Sequence, residues 1–334
     1  MKFKLCISLL LLVFSINILA VTGTTHHWLV TLNTTKANYR IDYTQWIPEE
    51  GNFNNHVIVY NHGLQSHRGW ETETFEKLSD LGFVILAFDR IGSGTSEGEI
   101  SKKFGKRLKG HITNWQSFVE TLDKFVGVVK TQYPTSSIHL WANSYGAKIV
   151  TSYLLQKKDK KITSTVFTTP GLYRNKVSMP LPSEYNQLLW DKIPFMPNIS
   201  PEKYFPSTIT SRDNDNGALW FTSMDNYIEY IKSDDQSLRT MTKSFLIETQ
   251  KMDKFIADED VKSGNKLNGQ KRFYVMVNGD EMMDNGAVLS HKNRNPEGAE
   301  FKFYEGGTDH KHFLAFTEDA EMVLNDIVEY LLQD

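Results

Sequence analysis

Short β-rich runs alternate with longer stretches of helical period over most of this chain. The pattern predicts strands at Trp28 to Leu32, Tyr39 to Trp46, His56 to Tyr60, Phe83 to Phe88, Ser137 to Ala142, Ser164 to Thr168, Phe273 to Val277 and Phe301 to Tyr304. Val57-Ile58-Val59-Tyr60 and Val84-Ile85-Leu86-Ala87-Phe88 are apolar without interruption, as expected of strands covered on both faces. Helical periodicity marks Trp70 to Leu81, Ile112 to Lys130, Tyr145 to Gln156 and Glu318 to Leu332. In the second of these Phe118, Val119, Leu122, Phe125, Val126 and Val129 share one face. Such alternation implies a mostly parallel sheet with helices on both sides. The first two strands leave no room for a crossover helix between them and should pair as an antiparallel hairpin at one edge.

The alternation lapses between about Gly171 and Glu259. Six prolines from Pro180 to Pro206 and many aromatics fill the first half, and helix-like runs follow at Asn226 to Ile231 and Leu238 to Phe255. An interruption of this size between two strands of one sheet reads as an inserted cap. There are no internal repeats and there is no low-complexity tail.

The first 23 residues follow another rule. Lys2 and Lys4 precede the apolar run Ile7 to Phe14, and small residues follow at Ala20 to Gly23, the layout of a secretory signal peptide. The run is shorter than the ~20 residues a membrane-spanning helix needs. The expectation is therefore a leader at 1–23, a mature domain at 24–334 and a secreted or periplasmic location. The single cysteine, Cys6, falls inside the leader, so the mature protein would hold no disulfide. A formal net charge of −3 with no long block of one sign argues against nucleic acid as a partner.

Candidate chemistry starts at Asn143-Ser144, the corner between the run Ser137 to Ala142 and the helix from Tyr145. Ala142-x-Ser144-x-Gly146 is a variant of the G-x-S-x-G nucleophile elbow, in which small residues flank the serine because the strand-to-helix turn is so tight. The elbow raises the serine hydroxyl above the end of the sheet, which makes Ser144 the candidate nucleophile.

Asn61-His62-Gly63-Leu64-Gln65-Ser66-His67, Gly82-Phe83, and Phe88-Asp89-Arg90-Ile91-Gly92-Ser93-Gly94-Thr95-Ser96-Glu97-Gly98, correctly spaced before that elbow, resemble the monoglyceride lipase and lysophospholipase group of α/β-hydrolases, to which the serine aminopeptidase-like hydrolases also belong. The likeness is close over about residues 50 to 160 and looser in the last third. It implies the α/β-hydrolase fold and an oxyanion hole made by the backbone N–H groups of Leu64 and Tyr145. It also implies that His62 shapes a loop, since the base of this group comes last in the chain.

A serine needs a base, and the base needs an acid to orient it; in this fold the order is serine, acid, histidine. Asn278-Gly279-Asp280-Glu281-Met282-Met283-Asp284 follows an apolar strand. Asp280 fits the group's pattern best, with Glu281 and Asp284 as alternatives. For the base, Tyr304-Glu305-Gly306-Gly307-Thr308-Asp309-His310 resembles the group's strand-Gly-x-x-His ending and favours His310, whereas counting back from the terminal helix favours His312.

The resemblance implies hydrolysis of a carboxylic ester, a lysophospholipid or a monoacylglycerol, through an acyl-enzyme. Tyr185, Trp190, Phe195, Tyr204, Trp220 and Phe221 of the cap could line an acyl channel and make transient contact with a membrane surface. Two other functions share these motifs: an aminopeptidase, which would need an acidic pocket for the α-amine, and a non-catalytic binding protein on the same fold. The histidines lack metal-ligand spacing and no phosphate-cradling loop opens a helix, so neither metal nor cofactor is expected.

Overall fold

The computed structural model describes residues 22–99, 109–157, 162–175, 218–238, 241–262, 266–304 and 311–333. The leader up to residue 21, the cap aromatics from Tyr185 to Phe205, and His310 lie outside the described residues. Eight strands form one sheet: β1 (Thr24–Leu32), β2 (Ala37–Trp46), β3 (His56–Asn61), β4 (Val84–Phe88), β5 (Ser137–Asn143), β6 (Ser164–Thr168), β7 (Lys271–Val277) and β8 (Ala299–Tyr304). Their spatial order is β1-β2-β4-β3-β5-β6-β7-β8. The first two form the expected edge hairpin, β2 also runs antiparallel to β4, and all pairings from β4 to β8 are parallel.

Helices α1 (Thr72–Asp80), α2 (Gln116–Gln132), α3 (Tyr145–Gln156), α4 (Asp225–Ser233), α5 (Lys243–Lys262), α6 (Asn285–Arg294) and α7 (Ala320–Leu331) account for the helical period. No helix among the described residues is long and apolar enough to cross a membrane. The unbroken apolar runs of β3 and β4 are explained by two separate cores. Val57, Val59, Val84 and Leu86 pack on one face with Phe118, Leu122 and Phe125 of α2 and Val150 of α3. Ile58, Tyr60, Ile85 and Ala87 point to the other face, against Phe75 and Leu78 of α1 and Ile327 and Leu331 of α7. Side chains alternate along a strand, so covering both faces requires apolar residues at every position. Each large side chain buried in this way contributes about 1.5–3 kcal/mol.

Several helices depart from expectation: α2 begins at Gln116 rather than Ile112, and α5 spans Lys243–Lys262 rather than Leu238 to Phe255. The first turn of the Trp70 to Leu81 pattern is a tight 3₁₀ turn, Arg68–Glu71, before α1 begins. The periodicity did not mark α6: only Val288 and His291 of its ten residues are buried, and its local signal is the Asp284 side chain accepting the Ala287 N–H at 2.9 Å, an N-cap.

Candidate active site

The parallel strands end on one side of the sheet, where ligands bind in open α/β folds. There β5 stops at Asn143 and α3 starts at Tyr145. Ser144, between them, has φ +48° and ψ −116°, a conformation that costs a non-glycine residue about 1–3 kcal/mol. The surroundings impose it. Ser144 N–H donates to Thr168 O at 3.0 Å, and Ser144 O accepts from the N–H groups of Ala147 at 2.9 Å and Gly171 at 2.8 Å. A Cβ at Gly146 would lie 2.2 Å from the carbonyl oxygen of Asn61, and one at Gly171 would lie 2.6 Å from the Ser144 carbonyl carbon. Ala142, two residues before the serine, is fully buried and accommodated.

Ser144 Oγ lies 2.6 Å from His312 Nε2, and His312 Nδ1 lies 2.8 Å from Asp280 Oδ2. Only one tautomer satisfies both contacts: Nδ1–H donates to the carboxylate, and Nε2 accepts the serine hydroxyl. The other oxygen of Asp280 accepts the N–H groups of Met282 at 2.8 Å and Met283 at 3.2 Å, so the carboxylate cannot rotate without losing partners. His312 and the Asp280 carboxylate are almost wholly buried.

Three alternatives left open by the residues alone are therefore separated. Asp284 caps α6 and Glu281 is exposed, while Asp280 faces the histidine. His310, which the strand ending favoured, lies outside the described residues, and the position between Ser144 and Asp280 is taken by His312. Long-range pairing holds His312 at this place: His312 N–H donates to Trp220 O at 3.1 Å and Phe313 N–H to Phe221 O at 3.2 Å. The segment between β6 and β7 thus helps to keep this residue of the last loop facing the serine.

His62 does shape its loop. Its Nδ1–H donates to Gly63 O at 2.9 Å, and its Nε2 accepts the Arg90 N–H at 3.2 Å. Burial, and then the charge of Arg90, push its pKa well below the usual value, so the ring is neutral. Arg90 itself organises the loop more broadly. Its guanidinium donates to three successive carbonyls, those of His62 and Gly63 at 2.8 Å and Leu64 at 2.6 Å, and lies 5.1 Å from the centre of the Tyr145 ring. Burial lowers its pKa to about 10, which leaves it charged. With three carbonyls turned toward Arg90, the backbone at Leu64 is held in one orientation beside Ser144. The N–H of Tyr145, the first residue of α3, has no acceptor within the helix. Residue order places Arg90 only within a loop motif; an arginine beside an aspartate does not reveal which carbonyls it will hold.

Two pockets, the two lobes of the site, border Ser144 and Leu64. The first is walled by Phe221, Leu238 and Phe313; the second is walled by Phe245 and Leu246 together with Lys148, Arg174 and Asp253. Met241 and Met282 line both. Among the described residues no group of three or more His, Cys, Asp or Glu side chains is arranged to hold a metal ion.

Comparison with known proteins agrees with this architecture. The fold is shared with a soluble variant of the monoglyceride lipase of Saccharomyces cerevisiae, at a TM-score of 0.70 and 16% identity over 94% of this chain and 96% of that one. A thermostable carboxyl esterase of Bacillus coagulans gives a TM-score of 0.69 at 16% identity over 93% of this chain and all of that one. In sequence, the chain is 27% identical over 135 residues to a probable lysophospholipase L2 of Haemophilus influenzae, covering 40% of this chain and 41% of the relative. It is 30% identical over 93 residues to the monoglyceride lipase of Rattus norvegicus, covering 28% of each. The chain thus matches less than half the length of these relatives. The model of the family described as "Serine aminopeptidase, S33" matches residues 54–268. That match spans more than half of the chain, and the protein belongs to this family of α/β-hydrolases.

Proposed function

We propose that the protein hydrolyses carboxylic esters of the lysophospholipid or monoacylglycerol class through an acyl-enzyme on Ser144. The observation that carries this reading is the unbroken chain from Ser144 through His312 to Asp280, at 2.6 and 2.8 Å, opening into a cavity with apolar walls. Ser144 Oγ attacks the ester carbonyl carbon while its proton passes to His312 Nε2. Asp280 keeps the imidazole in the required tautomer and stabilises the imidazolium. The carbonyl oxygen takes up negative charge opposite the N–H groups of Leu64 and Tyr145; removing one such donor typically costs about 10²–10³ in kcat. As the tetrahedral intermediate collapses, the C–O bond to the alcohol breaks and the alcohol leaves with the proton from His312. Water then gives its proton to His312, attacks the acyl carbon and releases the acid, and Ser144 regains its proton.

A peptidase of the same family would need an unpaired acidic group for the substrate's α-amine. The one carboxylate lining the second lobe among the described residues, Asp253, is ion-paired with Lys148 and shares that wall with Arg174, which favours esters over N-terminal amines. Phe221, Leu238, Met241 and Phe245 come from the stretch between β6 and β7 and line the cavity, which supports its role as a cap. Export belongs to the same proposal: N-terminal sequencing of the exported protein should find a start between about residues 20 and 26, and an intact Met1 would refute it.

Ser144→Ala should fold normally and lower kcat on a soluble acyl ester by roughly 10⁴–10⁶. It should also abolish labelling by a fluorophosphonate. A mutant that kept most of its turnover would remove Ser144 from the chemistry.

A further inference from the structure

Two walls of the first lobe come from segments far apart in sequence. One is the loop from Gly63 to Ser66, which includes the Leu64 N–H; the other is Leu238 and Met241, from the stretch between β6 and β7. A single carboxylate joins them. Asp234 follows the last turn of α4, where its N–H donates to Tyr230 O at 3.0 Å. Its Oδ2 accepts from His67 Nε2–H at 3.0 Å, Trp70 Nε1–H at 2.8 Å and the Ser237 hydroxyl at 2.5 Å. Its Oδ1 accepts the Gln236 N–H at 2.9 Å. Four residues on, the Leu238 N–H donates to Gln65 O at 2.9 Å.

The same contacts fix the tautomer of His67. Its Nδ1 accepts the Gly69 N–H at 3.0 Å, so Nε2 carries the proton that is donated to Asp234. The side chains of His67 and Asp234 are each only 6% exposed, a setting in which a satisfied polar network rigidifies its surroundings. Burial works against the charge of Asp234, but the contacts with His67, Ser237 and Trp70 outweigh it and hold its pKa below the ordinary carboxylate value. The carboxylate is therefore ionised at neutral pH.

Trp70 carries the linkage to the other side of the site. Its ring meets Phe221 edge-on at 5.3 Å and Phe313 edge-on at 5.2 Å, and it stacks on Phe316 at 5.6 Å. Phe221 and Phe313 wall the first lobe, and Phe313 follows the base in the chain. Asp234 is thus fastened on one side to the loop with an oxyanion donor and on the other to the aromatic ring beside His312.

From this arrangement we infer that Asp234 is a positioning residue for catalysis. It latches the stretch between β6 and β7 onto the loop from His62 to Trp70, and so keeps the Leu64 N–H and His312 in register with Ser144. A misplacement of about 1 Å caused far from the chemistry can cost about a hundredfold in rate. The inference rests on the ester-hydrolase reading and adds to it a cap residue that acts on the reacting groups through His67 and Trp70.

The test measures kcat and KM on a soluble p-nitrophenyl ester of a short fatty acid, and the inhibition constant of an alkyl trifluoromethyl ketone. Wild type, Asp234→Ala and Asp234→Asn are compared, with thermal unfolding as the check on folding. The ketone reports the oxyanion hole without turnover. Ser144 Oγ adds to its carbonyl carbon, the hydroxyl proton passes to His312 Nε2, and the carbonyl oxygen becomes an alkoxide opposite the N–H groups of Leu64 and Tyr145. Asp234→Ala should lower kcat by roughly tenfold to a hundredfold, leave KM within about threefold and weaken the ketone by a factor like that in kcat. Asp234→Asn should recover most of both losses, since an amide oxygen can replace Oδ2 as the acceptor for His67, Trp70 and Ser237. Wild-type kcat in folded Asp234→Ala protein would overturn the inference, as would a loss confined to KM or an asparagine variant no better than the alanine one. Should Asp234→Ala not fold, His67→Phe keeps a ring in place and removes one donor to the latch. A fall in kcat of about tenfold in that variant supports the inference, and an unchanged kcat overturns it. A wild-type protein that hydrolyses no ester would count against the ester-hydrolase reading alone. The latch is then judged on the ketone: weaker binding by Asp234→Ala supports it, equal affinity overturns it, and no binding by the wild type overturns both readings.

Discussion

Two of the buried histidine–aspartate pairs among the described residues lie in different parts of this molecule, and their separations are nearly the same. In one, His312 Nδ1 is 2.8 Å from Asp280 Oδ2; in the other, His291 Nδ1 is 2.9 Å from Asp260 Oδ1. The difference is in what surrounds each pair. Asp280 is bound by backbone N–H groups, and the far nitrogen of His312 meets the Ser144 hydroxyl at the wall of a cavity. Asp260 is instead ringed by side chains, those of Arg294, Asn295 and Tyr173. His291 is fully buried; its Nδ1 lies close to Asp260 without hydrogen-bond geometry, and neither ring nitrogen has a hydrogen-bond partner among the described residues. Burial works against the charge of Asp260, but the nearby His291 and the hydrogen-bonded Arg294 outweigh it and hold its pKa down to about 2. A histidine beside an aspartate is thus an orienting device. It becomes a general base only where a nucleophile and space for a substrate meet its other nitrogen.

The sharpest way to break this comparison is to truncate both histidines. His312→Ala should lower kcat by roughly 10⁴–10⁶, and combining it with Ser144→Ala should add little, because such residues act as one unit. His291→Ala should leave kcat within a few-fold and cost about 3 kcal/mol of stability, the price of stripping a partner from a buried carboxylate. Steady-state kinetics and denaturant titration on the same preparations distinguish the two outcomes, and a large loss of turnover in His291→Ala with intact folding would erase the distinction.

A smaller effect should come from Arg90, the positioning residue that the second pair lacks. Arg90→Gln removes the cation that turns three carbonyls of the His62–Leu64 loop one way. It should reduce kcat by about 10²–10³, with a lesser change in KM, and Arg90→Lys should restore only part of the loss because one ammonium cannot hold three carbonyls in a planar fork. An equal fall in kcat/KM caused by KM alone would assign Arg90 to substrate binding instead.

Glu71 extends the comparison to a buried acid that makes no ion pair among the described residues. Burial raises its pKa from 4.5 to about 7, a shift that hydrogen bonds from Thr74 and Tyr60 only partly oppose. The folded state therefore binds a proton that the unfolded state releases between pH 4.5 and pH 7. Stability is fully present below that window, falls as pH rises through it, and is constant above, a total change of about 3 kcal/mol. Glu71→Gln should remove this decline, so that unfolding free energies at pH 5 and pH 8 converge in the mutant and differ in the wild type. The smallest expected effect is that of His310→Ala, which should cost under tenfold in kcat; a loss matching that of Ser144→Ala would return the role of base to His310.

Local pattern sufficed for much of this protein. The eight strands, the edge hairpin, α3 from Tyr145 to Gln156 and the elbow at Ser144 could all be read from residue order, because each rests on periodicity or on small residues within a few positions of one another. The unbroken apolar runs of β3 and β4 even indicated that both faces would be covered. What residue order left open was decided across the fold. Asp280 is singled out from Glu281 and Asp284 by facing His312, and His312 is held against the serine by a backbone pairing with Trp220, some ninety positions away. The carbonyls held by Arg90, and the meeting of Lys148, Arg174 and Asp253 in one lobe, likewise join elements that are neighbours only in space. Side chains in loops carry no period of their own, so their partners are set by which distant segments the sheet brings to its carboxyl edge.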